Sequence, residues 1–224
     1  MLTPRLELIA SKVKDDASVI DVGTDHGYIP IYLAGRGRVK KALATDVNRG
    51  PLSRAEENIK LHNAGDKVST ALANGLNGID TKPYDTVIIA GMGGILISEI
   101  MEQTDNTDLT FILQPMTAAE ELRRYLYQKS YEIVDEELVA EGEKLYTVIV
   151  AKKGKKSDYE ELDHYIGKKL FEKNEPLLYE CINRLKKKLV TIINGISKSS
   201  NQENIDYYKK LLERIEMTEN DYKN

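Results

Sequence analysis

Tryptophan is absent from this 224-residue sequence, phenylalanine occurs twice and cysteine once. A lone Cys181 excludes an internal disulfide and a paired-cysteine metal site. The three histidines, His26, His62 and His164, are scattered with no His-Glu-x-x-His spacing, so the pattern holds no metal centre. No apolar run reaches the roughly 18 residues of a membrane-spanning helix. The start, Met1-Leu2-Thr3-Pro4-Arg5 with Glu7 close behind, lacks the apolar core and cleavage site of a secretory signal. The expectation is a reduced, cytoplasmic, metal-free protein with no membrane association.

The remainder is ordinary for a folded chain, 41% hydrophobic and 30% charged residues. The net charge of −4 is unevenly spread: residues 1–150 carry 16 Lys+Arg against 23 Asp+Glu, and the rest carry 16 against 13. An acidic body with a basic tail suits a polyanionic partner gripped by the tail. A solvated Lys/Glu-rich helical surface explains the same excess.

Thr3-Pro4 reads as a helix start, with Leu6, Ile9, Ala10 and Val13 following at helical spacing. Short apolar runs then alternate with helical stretches. The spacing predicts strands over Ser18–Gly23, Lys41–Asp46, Val68–Ala73, Tyr84–Ala90 and Leu109–Gln114. It predicts helices over Pro30–Ala34, Pro51–His62, Ile95–Glu102 and Ala118–Lys129. Such alternation implies a parallel, doubly wound α/β sheet. Tyr131–Val139 and Lys144–Lys152 then read as two strands joined only by the turn Glu141-Gly142-Glu143. A closing antiparallel hairpin on a parallel sheet resembles the class I methyltransferase variant of the Rossmann-like fold, a seven-stranded, mostly parallel sheet with an antiparallel last strand. A domain boundary is expected after Gly154, dividing a cofactor domain (1–154) from a helical extension (155–224). In the extension Leu177, Cys181, Leu185, Leu189, Ile192 and Ile196 form one apolar stripe, and Ile205, Tyr208, Leu212 and Ile215 another. The two helices are expected to pair as a coiled-coil-like hairpin.

The residues richest in chemistry follow the first strand: Asp21-Val22-Gly23-Thr24-Asp25-His26-Gly27. A turn there borders the ligand crevice of a doubly wound sheet. Gly23 and Gly27 let the backbone approach a ligand. Dinucleotide enzymes place G-x-G-x-x-G there to meet a pyrophosphate. Asp21 and Asp25 would repel a pyrophosphate, yet suit the sulfonium and ammonium of S-adenosylmethionine. A Gly/Asp turn that only caps the next helix is the competing reading. Asp46, with Val47, ends the second strand 25 residues on, where an acid accepts hydrogen bonds from ribose hydroxyls; an N-cap is its alternative. Asn74-Gly75 is a third crevice turn. Gly91-Met92-Gly93-Gly94 after the fourth strand offers an open floor, and Gln114-Pro115 after the fifth a polar and apolar pocket wall.

Taken together, Asp21-x-Gly23-x-Asp25-His26-Gly27-Tyr28-x-Pro30, Thr45-Asp46 with Gly50-Pro51, Asn74-Gly75-Leu76, Gly91-Met92-Gly93-Gly94 and Leu113-Gln114-Pro115 resemble the bacterial tRNA (adenine-N1)-methyltransferases of the TrmK family. The resemblance covers nearly the whole chain, helical extension included. It implies S-adenosylmethionine as cofactor and N1 of adenosine 22 in the tRNA D-loop as target. It implies that Gly23, Asp25, His26, Asp46, Asn74, Gly75 and Gly91 line the cofactor site, with Asp21, Thr24, Gly27, Val47, Met92 and Gly93 beside them. Asp25 stands where the wider D-x-G-x-G-x-G pattern has glycine, which suggests a role near the methyl group. Asp25 and Tyr28 are accordingly the catalytic candidates, Asp25 orienting the adenine and Tyr28 forming a stacking wall. Substrate contacts are expected from Gln114 and Pro115 in the pocket, and from Lys153, Lys155, Lys156, Arg184 and Lys187 on tRNA phosphates. A monomer is slightly favoured. A small-molecule methyltransferase, a nicotinamide oxidoreductase and a non-catalytic coiled-coil interaction protein are the rival readings.

Overall fold

In the first two-thirds of the chain, β-branched runs form strands wherever both faces are covered by helices. The computed structural model describes residues 2–154, 158–196 and 202–223. It divides into two units, residues 1–158 and 159–224.

The first unit opens with α1 (Pro4–Ser11), whose proline occupies the first turn. There follow β1 (Ala17–Val22), α2 (Tyr28–Gly35), β2 (Val39–Asp46), α3 (Arg49–Leu61) and β3 (Val68–Leu72). Next come β4 (Thr86–Gly93), α4 (Gly94–Met101), β5 (Thr110–Thr117), α5 (Ala119–Gln128), β6 (Tyr131–Glu141) and β7 (Lys144–Lys153). The seven strands lie in the order β3-β2-β1-β4-β5-β7-β6. The first five are parallel, and β7 runs antiparallel to both β5 and β6. Ile20, Ile88, Ile89, Ile112 and Leu113 from the central strands are fully enclosed. From β1 the chain winds outward to β3, then returns to place β4 on β1's other side. That reversal opens a crevice at the strands' carboxyl ends.

Two charged clusters brace this sheet. A bulge at Val134 shifts the β6 register between Ile133 and Asp135. Beyond it, Asp135 and Glu137 face one side and both meet Lys12 of α1. Glu136 faces the other, fully buried, where its Oε1 accepts hydrogen bonds from Arg123 Nε at 3.0 Å and Thr147 Oγ1 at 2.9 Å.

The second unit contains the short helices α6 (Glu161–Tyr165) and α7 (Lys168–Glu172), which periodicity did not anticipate. Glu160 and Asp163 cap α6 reciprocally. The long helices α8 (Leu178–Ile196) and α9 (Gln202–Lys223) pack on each other. Their buried residues keep Leu189, Ile205 and Ile215 of the expected stripes and elsewhere shift by one residue. In α8 they are Leu178, Ile182 and Leu189, with Cys181 only half-buried; in α9 they are Ile205, Leu211 and Ile215, with Leu212 half-buried. Leu177-Leu178, Cys181-Ile182 and Leu211-Leu212 are adjacent apolar pairs, so a pattern of apolar letters cannot say which member turns inward. Among the described residues no helix is long and apolar enough to cross a membrane.

Candidate active site

The turn after β1 is built from backbone conformations that few residues tolerate. Gly23, Asp25 and Gly27 have φ of +69°, +53° and +72°. Aspartate is one of the few side chains found in that left-handed region, so Asp25 keeps a glycine-like backbone while adding a carboxylate. The Thr24 amide donates to Thr45 O at 2.9 Å, tying the turn to β2. Asn58 Nδ2 on α3 holds the carbonyl of His26 at 2.9 Å. A Cβ at Gly23 would lie 2.2 Å from Met92 Cε, so glycine lets the β4 floor close on this turn.

Asp21 is buried at the end of β1, and its Oδ2 accepts the Thr24 hydroxyl at 2.6 Å. Burial raises its carboxyl from 3.8 to about 7; the neighbouring Asp46 adds to the rise and the Thr24 hydrogen bond opposes it. Such an acid is better ionised once a cation sits beside it.

The floor differs from its expected form. β4 does not end at Ala90 but continues through Gly93, and β5 includes Gln114-Pro115-Met116. The pairing steps from Ala90–Gln114 to Met92–Pro115, leaving Gly91 bulged out with φ of +78°. Its amide donates instead to Gln114 Oε1 at 3.2 Å. The same oxygen accepts Arg5 Nη1 at 2.8 Å, while Gln114 Nε2 donates to Pro115 O at 2.9 Å. Above Gly91 the space is open, with nothing within 4 Å of a Cβ placed there.

A cavity of about 390 Å³ opens over these residues, within the roughly 300–1,000 Å³ range of small-molecule sites. It brings together Asp21, Gly23, Thr24, Asp25, Tyr28 and Gly91, with Arg5 on the far wall. Tyr28 is half exposed, its ring stacked on His26 at 5.1 Å between centroids. It is thus a wall of the site and not part of the helix core. Asp46 is buried beside Asp21, with Oδ1 accepting the Asn48 amide at 2.8 Å. Its carbonyl accepts the Ala73 amide, which puts Asn74 next along the crest. Val47 and Asn74 are exposed there. Gly75 is enclosed: its φ is +67°, and a Cβ would meet Gln103 Oε1 at 2.3 Å.

These residues suit S-adenosylmethionine. Two carboxyls flank the β1 turn for a cationic ligand, a third ends β2 for ribose hydroxyls, and the glycine backbones leave room for a flat ring. The sequence matches the family model of a methyltransferase domain over residues 2–149. The tRNA (adenine(22)-N(1))-methyltransferase of Bacillus subtilis is 33% identical over 157 residues, spanning 68% of this chain and 66% of that protein. TrmK of M. capricolum, solved with S-adenosyl-homocysteine, superposes with a TM-score of 0.80 at 30% identity, over 100% of this chain and 98% of that one. Streptococcus pneumoniae Sp1610 in complex with S-adenosyl-L-methionine superposes at 0.82 and 32% identity, over 95% and 100%.

The chain belongs to the TrmK family of methyltransferases.

Within this TrmK-family site, Arg5 is the residue that motif reading missed. A signal was available: Arg5 lies four residues before Ile9, and Lys12 three after it, so both cations fall on the buried face of α1. Arg5 reaches Gln114 and lies over the Tyr146 ring at 5.3 Å, and its amide donates to Glu141 Oε2 at 3.2 Å. The Thr3 hydroxyl and then Arg5 hold the Glu141 carboxyl below its usual range.

The expected RNA-contacting residues are not among those that line the cavity. Lys153 donates to Lys129 O at 2.7 Å and sits over the Tyr131 ring at 4.1 Å. Arg184 pairs with Glu180, Lys186 pairs with Glu219 at 2.9 Å, and Lys187 is exposed. Lys155 and Lys156 lie outside the described residues.

Proposed function

We propose that this chain methylates N1 of adenosine 22 in the D-loop of tRNA, using S-adenosylmethionine. The observation that carries the reading is the acid-walled cavity at the carboxyl ends of β1 and β4 in a TrmK-family chain. The relatives solved with S-adenosyl-L-methionine and S-adenosyl-homocysteine support the cofactor.

When bound, S-adenosylmethionine supplies an electrophilic methyl group on a sulfonium. Asp21 holds the cationic portion, Asp46 and Val47 the ribose, and Asn74 and Gly75 the adenine, over a floor of Gly91, Met92 and Gly93. Gln114, fixed by Arg5, holds the Gly91 bulge open. The target nitrogen has a free lone pair at neutral pH, so this chain needs no strong base. Its contribution is placing and desolvating the target ring. Tyr28, backed by His26, stacks on that ring, and Asp25 at the mouth orients its amino group. The target base must leave its stack to enter the cavity, which requires a grip on the RNA elsewhere. Arg184, Lys187 and Lys153, with Lys155 and Lys156, supply it through phosphates.

A tRNA transcript with adenosine 22 changed to guanosine tests the reading. Methylation should vanish while cofactor binding is untouched. Equal methylation of both transcripts would exclude this target.

A further inference from the structure

A second, larger groove of about 590 Å³ adjoins the cavity and shares Tyr28 with it. It runs along α2, where Tyr28, Ile31 and Tyr32 recur at helical spacing, and is closed by Arg36, His62 and, from α1, Glu7. This face is unusual for a surface helix. From Tyr28 to Gly35 there is no charged residue, yet Tyr28 is half exposed and Ile31 and Tyr32 are only partly covered. The Arg36 guanidinium lies over the Tyr32 ring at 4.7 Å. An exposed guanidinium laid over an aromatic ring presents its own plane to stack an unpaired base and its N–H groups to meet the phosphate. Glu7 adds an acceptor for a base's N–H edge. The groove begins at the ring on which the target base stacks, so the next nucleotide along the strand is the ligand within reach.

We infer that this groove is a second nucleotide subsite, stacking on the Arg36-capped Tyr32 ring an unpaired base that neighbours the methylated adenosine. The inference rests on the tRNA reading above. Tyr28 thereby divides the two subsites: His26 covers one face of its ring, the free face takes the target base, and the neighbour stacks further along α2.

The test uses the full-length enzyme and tRNA transcripts carrying an abasic residue immediately before or immediately after the target. At one of the two positions the abasic change should raise KM for tRNA roughly 5- to 100-fold, the worth of one base–aromatic stack. Tyr32→Ala should raise KM similarly with the intact transcript and leave affinity for S-adenosylmethionine unchanged. The abasic change should then add nothing in that variant, and Tyr32→Phe should restore the wild-type KM. Abasic transcripts used as well as intact ones, with the wild-type enzyme active, would overturn the subsite alone. So would additive effects of the abasic change and Tyr32→Ala. A wild-type enzyme that methylates no tRNA would overturn the tRNA reading, and the subsite with it.

Discussion

Consider Asp21→Asn. In the folded chain the carboxyl titrates near 7, against 3.8 for the free group, chiefly because burial penalises the charged form. Between those values the folded protein keeps a proton that the unfolded chain has lost. Stability therefore falls as pH rises through that window and is fully present only below the lower value. Across the whole window the loss is on the order of 4 kcal/mol. Asparagine keeps an acceptor for the Thr24 hydroxyl and carries no charge to desolvate. The variant should thus match the wild type near pH 4 and exceed it near pH 8, approaching that magnitude. It should also bind S-adenosylmethionine more weakly, because the charge facing the ligand is gone. In the wild type, affinity should climb from about pH 6 to about pH 8, with a proton released on binding. Melting temperatures across pH, and titration calorimetry in buffers of different ionisation enthalpy, read both effects. A variant no more stable than wild type near pH 8, or one with undiminished cofactor affinity, would refute the reasoning.

Asp25→Gly keeps the left-handed backbone at lower strain, so it should fold at least as well, still bind cofactor through Asp21 though more weakly, and lose at least about tenfold in kcat at saturating cofactor; full turnover would remove Asp25 from the mechanism. Arg123→Met leaves the buried Glu136 without its guanidinium and should destabilise the protein by about 3–5 kcal/mol, whereas Arg123→Met with Glu136→Leu should recover most of that in denaturant melts. Doubling Arg184→Glu with Lys187→Glu should raise KM for tRNA and flatten its salt dependence, with cofactor affinity unchanged; an unaltered salt slope would place the RNA elsewhere.

Strand alternation and the β1 turn were legible because each is a local pattern. The run Ser18–Val22 must be a strand covered on both sides, and Asp21, Gly23 and Asp25 follow it by adjacency into the crevice. Four kinds of feature were not. The Gly91 bulge depends on Gln114 from another strand replacing a backbone partner, a contact 23 residues distant. Arg5 enters the wall only because α1 packs on β6 and β7, from where its guanidinium reaches Gln114 of β5, and no motif within α1 says so. The stripes on α8 and α9 turned on which of two adjacent apolar residues faces inward, a choice made by the partner helix. The short α6 and α7 are held by caps and local packing, and no repeating stripe announces them.

The central claim meets its most direct test in transfer of labelled methyl from S-adenosylmethionine to bulk unmodified tRNA, followed by nucleoside analysis. The account predicts label in 1-methyladenosine, mapping to the D-loop. Label in another nucleoside, or none from a protein that still binds the cofactor, would contradict it.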